Sequence, residues 1–199
     1  MSNIEILLAT LIAYLFGSLS SAIIVCRIMK LPDPRTLGSQ NPGATNVLRI
    51  GGKKAALITL LGDTLKGVIP VLLAKAYGLD ALGLSLVTGA AFLGHLFPIF
   101  FRFQGGKGVA TAIGCIIALS WPVGLCWIAT WAAIAALFRY SSLASLTASA
   151  LAPLYMWYFT ENFLYVITMA FIAILLMYRH RGNIKKLMAG SESKLGKKV

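Results

Sequence analysis

The sequence predicts an all-α polytopic integral membrane protein with seven transmembrane helices, N-terminus outside and C-terminus cytoplasmic, forming a single membrane domain over residues 1–199. Three observations predict it. Residues are 58% hydrophobic and only 12% charged, and the mean hydropathy of +0.82 lies far outside the soluble range. Apolar stretches of spanning length succeed one another with no soluble block between them. The basic residues, Lys66 and Lys75 excepted, fall in alternate connections and the C-terminal tail, which the positive-inside rule assigns to the cytoplasm.

The first span covers residues 6–26, where Gly17, Ser18, Ser20 and Ser21 permit close approach of a neighbouring helix. It has no basic n-region and no evident cleavage site, so it reads as a retained span and not a signal peptide. A polar loop follows, stiffened by Pro32 and Pro34 and closed by Gly51-Gly52-Lys53-Lys54. The second span, residues 55–77, carries Asp63 and Lys66 three positions apart on one helical face. Because an unpaired charge in a span costs about 2.5–3.5 kcal/mol, the two are expected to pair beside a polar site, with Lys66 also a potential phosphate ligand. The third span, residues 81–101, contains His95, which reads as a buried, hydrogen-bonded histidine.

Residues 108–138 are uncharged. As one helix they would extend about 46 Å, too long for a core of about 30 Å, so two spans breaking near Pro122 are expected. Arg139 to Ser145 opens the sixth span, which ends near Phe159, and the seventh covers residues 163–178. The net charge of +12 lies in short loops, which fits topology and anionic ligands and excludes a nucleic-acid surface. Cys26, Cys115 and Cys126 lie in or beside apolar segments and read as free thiols. No internal repeat suggests an inverted-repeat transporter.

Four polar segments therefore emerge on one membrane face: residues 38–49, 105–111, 139–145 and 179–183. In the first, Gly38 and Gly43 allow backbone N–H groups to converge on an anion, Ser39, Asn41, Thr45 and Asn46 add neutral donors, and Arg49 adds a forked cation. In the second, Gly105, Gly106, Lys107 and Gly108 precede a helix start, a phosphate cradle that lacks the spacing and the strand of a Walker P-loop. Carboxylates on this face are limited to Asp33, Asp63 and Glu192, so two-carboxylate hydrolysis, carboxylate-held metal and the aspartate cluster of a CDP-alcohol phosphotransferase are all unsupported. No zinc-ligand spacing occurs, and neither a metal nor a cofactor is expected. The remaining chemistry is phosphate binding beside lipid. Catalysis on an amphipathic phosphate and an anion or phosphate channel both fit it.

The ordered motifs Gly-Ser-Gln-Asn-Pro-Gly-Ala-Thr-Asn-Val-Leu-Arg, Gly-Gly-Lys-Gly-Val-Ala-Thr, Tyr-Ser-Ser-Leu-Ala-Ser and Tyr-Arg-His-Arg-Gly-Asn-Ile resemble those of the bacterial acyl-phosphate:glycerol-3-phosphate acyltransferases, the PlsY family, over essentially the whole chain. The resemblance implies a seven-helix enzyme of the bacterial inner membrane, acting at the first step of phospholipid synthesis. It would move an acyl group from acyl phosphate to the 1-hydroxyl of glycerol 3-phosphate, giving lysophosphatidate and phosphate. Membrane lipids surround it, and neither acyl carrier protein nor acyl-CoA is the direct donor.

Matched by motif, Ser39 and Arg49 correspond to the family's essential serine and arginine, and Gly105, Gly106, Lys107 and Gly108 to its phosphate loop. Ser142 matches the serine of the third motif, and His180 and Asn183 match the histidine and asparagine of the last. Gly182 stands where the family usually has an acidic residue, leaving open what anchors that segment. Because the donor is an activated anhydride, Arg49, Lys107 and loop N–H groups would chiefly balance phosphate charge, with His180 either a general base or a phosphate ligand. Ser39 or Ser142 as a covalent acyl carrier has no histidine and acid partner visible in sequence.

Overall fold

The computed structural model describes residues 2–196, and among them every regular element is helical. The helices are α1 (Asn3–Gly17), α2 (Ser21–Ile28), α3 (Ala44–Ala76), α4 (Ala81–Leu96), α5 (Val109–Leu119), α6 (Trp121–Phe138), α7 (Ser141–Thr160), α8 (Phe163–Arg179) and α9 (Arg181–Met188). A single 3₁₀ turn, Ile99–Phe101, follows α4. Their starts are chemically marked. Ser2 and Glu5 form a capping box on α1, Asp80 accepts from Gly83 N–H at α4, and Asn162 accepts from the Leu164 and Tyr165 N–H groups at α8.

By length and composition α3, α6 and the Ala81–Phe101 segment can each cross a membrane, and two bent pairs, α1 with α2 and α8 with α9, also qualify as broken spans. Outward faces are apolar: Leu7, Leu61, Leu73, Leu125, Leu137 and Ile174 are all more than half exposed. Side chains so placed require a lipid surround.

Helix boundaries differ from expectation in three places. Residues 6–26 are not one helix, because the chain breaks at Ser18–Ser20 and bends by 40°. There the Ser18 hydroxyl donates back to Tyr14 O at 2.8 Å, an alternative to helix continuation. The chain before residue 55, expected as loop, is helical from Ala44, and non-helical Gly52, at φ +76°, separates this short helical stretch from the expected span that follows it. Asn46 and Arg49 are therefore helical and not loop residues. The expected break near Pro122 falls at Ser120, with Pro122 in the first turn of α6, where its missing N–H costs nothing. The resulting α5 has 11 residues and reaches only about 16 Å, half of a bilayer core.

Helix α5 packs on α3, and α1 on α4, at backbone distance. A Cβ at Gly67 would collide with Thr111 O, and one at Gly94 with Tyr14 O. Phe92, Leu96, Ile116, Met156, Met169 and Leu176 fill the interior. Inside the bundle Asp63 and Lys66 pair at 2.8 Å, as their spacing predicts. His95 is buried, with Nδ1 at 3.0 Å from Thr111 Oγ1, which itself donates to Asp63 O. All three cysteines are free thiols. Together these contacts fix α5 against α3 and α4, and so fix where its N-terminus emerges.

Candidate anion-binding site

The loop before α3 is shaped from within by Asn46. This side chain is 1% exposed; its amide donates to Pro34 O at 2.9 Å and Leu37 O at 3.0 Å, while its Oδ1 accepts from Ser39 N–H at 2.9 Å. All three bonds tie residues 34–39 down onto the first turn of α3. The expectation that Asn46 donates to a phosphate therefore fails, because its donors are already satisfied by protein carbonyls. Gly38 has φ +63°, and a Cβ there would collide with Asn46 Oδ1. Gly43 caps α3, but its own N–H bonds to Asn41 O at 2.9 Å and is not available to a ligand. The side chains of Ser39, Asn41 and Thr45 have no hydrogen-bond partner among the described residues and are free to meet one.

Upstream, Arg35 grips Asp33 at 2.6 Å and holds its carboxyl below the usual carboxylate range. Arg35, Gln40, Gln104 and Arg179 line a polar pocket of about 360 Å³ beside Gly105.

The second segment turns through left-handed Arg102 and Phe103 into Gly105-Gly106-Lys107-Gly108. Arg179 donates from Nη2 to Gly105 O at 2.6 Å and from Nε to Gly106 O at 3.1 Å, while Gly106 N–H bonds to His95 O at 3.2 Å. The Gly106 N–H is thus committed within the protein, contrary to its expected role as a phosphate donor. Gly108, at φ +89°, caps α5. None of the N–H groups of residues 107–111 has an acceptor among the described residues, so five successive donors at the positive end of α5 are left without a protein partner.

Lys107 is half-buried, and its ammonium donates to Asn183 Oδ1. Burial, more than the neighbouring Lys186, Arg49 and Arg179, pushes its pKa down to about 8; Glu192 opposes the shift.

The last two segments meet through a residue that sequence reasoning left without a role. Glu192 Oε1 accepts from Ser142 Oγ at 2.8 Å and from Asn183 Nδ2 at 2.7 Å, and the next residue, Ser193, accepts from Arg49 Nη2 at 2.7 Å. The tail after α9 therefore ties α7, α9 and α3 together. This supplies the anchor left open by Gly182, where a Cβ would meet only open space. Ser142 Oγ donates to the Glu192 carboxylate, a weak base, and no histidine contacts it among the described residues, so the histidine–acid pairing that activates a serine nucleophile is not formed.

His180 sits at the 62° corner between α8 and α9, 3% exposed. Its Nδ1 lies 2.8 Å from Leu176 O. A carbonyl only accepts, so Nδ1 carries the proton and Nε2 presents a lone pair. Burial, reinforced by Lys107, lowers the His180 pKa to about 4, so the ring is neutral at pH 7. It suits accepting from a hydroxyl.

Lys66 does not belong to this constellation. Its side chain is 5% exposed, and its ammonium pairs with Asp63 and donates to Leu19 O at 2.8 Å, so it serves the bundle and not a phosphate. The residues that spacing could not reveal are Glu192, Ser193 and Arg179, which reach Ser142, Arg49 and Gly105 across 50, 144 and 74 residues.

The family model described as glycerol-3-phosphate acyltransferase matches residues 7–190. A glycerol-3-phosphate acyltransferase of Methylococcus capsulatus is 54% identical over 186 residues, covering 94% of both chains, and one of Vibrio cholerae is 53% identical, covering 94% of this chain and 88% of the relative. Among solved structures, PlsY (YgiH), an integral membrane glycerol 3-phosphate acyltransferase in its glycerol 3-phosphate form, superposes with a TM-score of 0.92 at 40% identity over 96% of each chain. Its lysophosphatidic acid form gives 0.89 at 39% identity over the same share.

Proposed function

The chain belongs to the glycerol-3-phosphate acyltransferase family, and from that premise we propose that it moves a fatty acyl group from acyl phosphate to the 1-hydroxyl of glycerol 3-phosphate in the bacterial inner membrane. The observation that carries this reading is the contact of Lys107 with Asn183, which joins the unpartnered N–H groups of residues 107–111 to the corner that holds the neutral His180. In the proposed arrangement seven spans leave the N-terminus outside and the four polar segments in the cytoplasm, supported by the distribution of basic residues.

The reaction needs little basic help. The glycerol hydroxyl oxygen attacks the carbonyl carbon of the mixed anhydride, the carbon–oxygen bond to phosphate breaks, and inorganic phosphate leaves with the electron pair. The hydroxyl proton ends on the phosphate. Lys107, Arg49 and the amides of α5 balance the charge of two phosphates, and Ser39, Asn41 and Thr45 offer further donors to them. His180 Nε2 accepts the hydroxyl hydrogen bond and orients the attack. A group of pKa about 4 is a weak base, which favours orientation over full proton abstraction.

Glutamine at position 180 keeps an acceptor and loses the base. His180→Gln is therefore expected to lower kcat by about tenfold or less; a loss in the range of roughly 10²–10⁴-fold would make His180 the general base instead.

The pH profile carries a second expectation. The Lys107 ammonium is charged below about pH 8 and lost above it, so kcat/KM for glycerol 3-phosphate falls as pH rises through 8. Bound phosphate favours the charged form, so the same limb lies higher in kcat. Lys107→Arg removes the limb; its persistence there would assign it to another group.

The donor is tested with purified protein, labelled glycerol 3-phosphate and, in turn, palmitoyl phosphate, palmitoyl-CoA and palmitoyl-acyl carrier protein. Lysophosphatidate is expected from palmitoyl phosphate alone. Formation from either thioester at a comparable rate would overturn the proposed donor.

A further inference from the structure

Arg179 has no part in the chemistry above, yet its guanidinium spends two donors, Nε and Nη2, on the glycine loop. A trans peptide points its C=O and N–H in opposite directions. The peptide joining Gly105 to Gly106 is held from both sides: its carbonyl takes Arg179 Nη2 at 2.6 Å and its N–H meets His95 O at 3.2 Å. The next peptide, Gly106 to Lys107, is held on one side only. Its carbonyl takes Arg179 Nε at 3.1 Å, which turns the Lys107 N–H to the opposite side, where no protein acceptor meets it among the described residues.

We propose that Arg179 is a positioning residue: its guanidinium fork takes two successive loop carbonyls and so presents the Lys107 N–H, and the amides after it, to the substrate phosphate. The assignment rests on the function proposed above and deepens it. The two bonds need the planar fork, since one ammonium cannot satisfy both carbonyls in the same geometry. Phe97, with its ring centroid 5.8 Å from the guanidinium carbon, supports the fork from behind. The loop cannot give way on its other side, because a Cβ at Gly106 would collide with His95 Nε2. Arg179 is also the residue before His180. The corner that orients the acceptor for the glycerol hydroxyl thus also orients the donors for phosphate, and the two halves of the site move as one.

The test compares purified full-length wild type with Arg179→Lys and Arg179→Gln, reading kcat, KM for glycerol 3-phosphate, and the calorimetric affinity for inorganic phosphate. The expected result is a KM raised by about tenfold or more in both variants, phosphate affinity weakened in parallel, and kcat within about twofold of wild type. Lysine near wild type with glutamine impaired would mean that Arg179 acts as a charge, and would overturn the proposal. So would a fall in kcat at unchanged KM. An Arg179→Lys protein that fails to fold makes the residue a structural one and overturns it too. Phosphate binding is measured without turnover, so it judges the positioning role even if wild type formed no lysophosphatidate, a result that would sink the proposed function alone.

Discussion

Lys107→Met is expected to lower kcat/KM for glycerol 3-phosphate by about 10²–10³-fold, the range seen when one preorganised donor is removed from a site where charge develops, while the protein remains folded in detergent. Methionine matches the length of the lysine stem, so little packing is lost. What disappears is a half-buried ammonium, already stripped of much of its water, held by Asn183 at the start of α5. Coulomb attraction to phosphate is several-fold stronger at such a site than in bulk water. A loss below about fivefold, with normal folding, would mean that the amides alone hold the anion.

Gly105→Ala is the second large effect. A Cβ at Gly105 would collide with the backbone carbonyls of both His95 and Leu96, which cannot rotate away as a side chain can. The loop must move, and overpacking of this kind costs about 1–3 kcal/mol. If the whole cost falls on the bound geometry, affinity for glycerol 3-phosphate drops by roughly 5- to 150-fold. The measurement is KM beside thermal stability in detergent. Unchanged KM would place the Gly105 contacts outside the working site. Gly182→Ala is the matching control, because open space surrounds that residue and little change is expected.

Much of this architecture was legible in the sequence, for identifiable reasons. Helices α6, α7 and α8 and the start of α4 lie close to their expected limits because hydropathy changes sharply at Asp80, Arg139 and Arg179. The helical stretch from Ala44 to Gly51 was not legible, because its Thr, Asn and Gly residues read as loop, whereas the break marked by Gly51-Gly52 is present at non-helical Gly52.

At the site, Lys107, Ser142, His180 and Asn183 could be singled out by residue type and motif, and the structure brings them together: Lys107 meets Asn183, Glu192 meets both Asn183 and Ser142, and His180 lies at the same corner. Asn46 misled because an amide in a polar loop looks the same whether it serves a ligand or the loop itself. Lys66 misled because sequence cannot tell a buried ion pair from a ligand on the same helix. Glu192 and Arg179 act through contacts across 50 and 74 residues, which only the folded corner of α8 and α9 brings about.

The central claim is that segments far apart in sequence form one site for the phosphate of glycerol 3-phosphate. Amide hydrogen exchange of the purified wild type, with and without glycerol 3-phosphate, tests it most directly. The account predicts added protection of residues 107–111 together with the segments around Ser39 and His180, at one ligand concentration. Protection confined to a single segment, or none at saturating ligand, would contradict it.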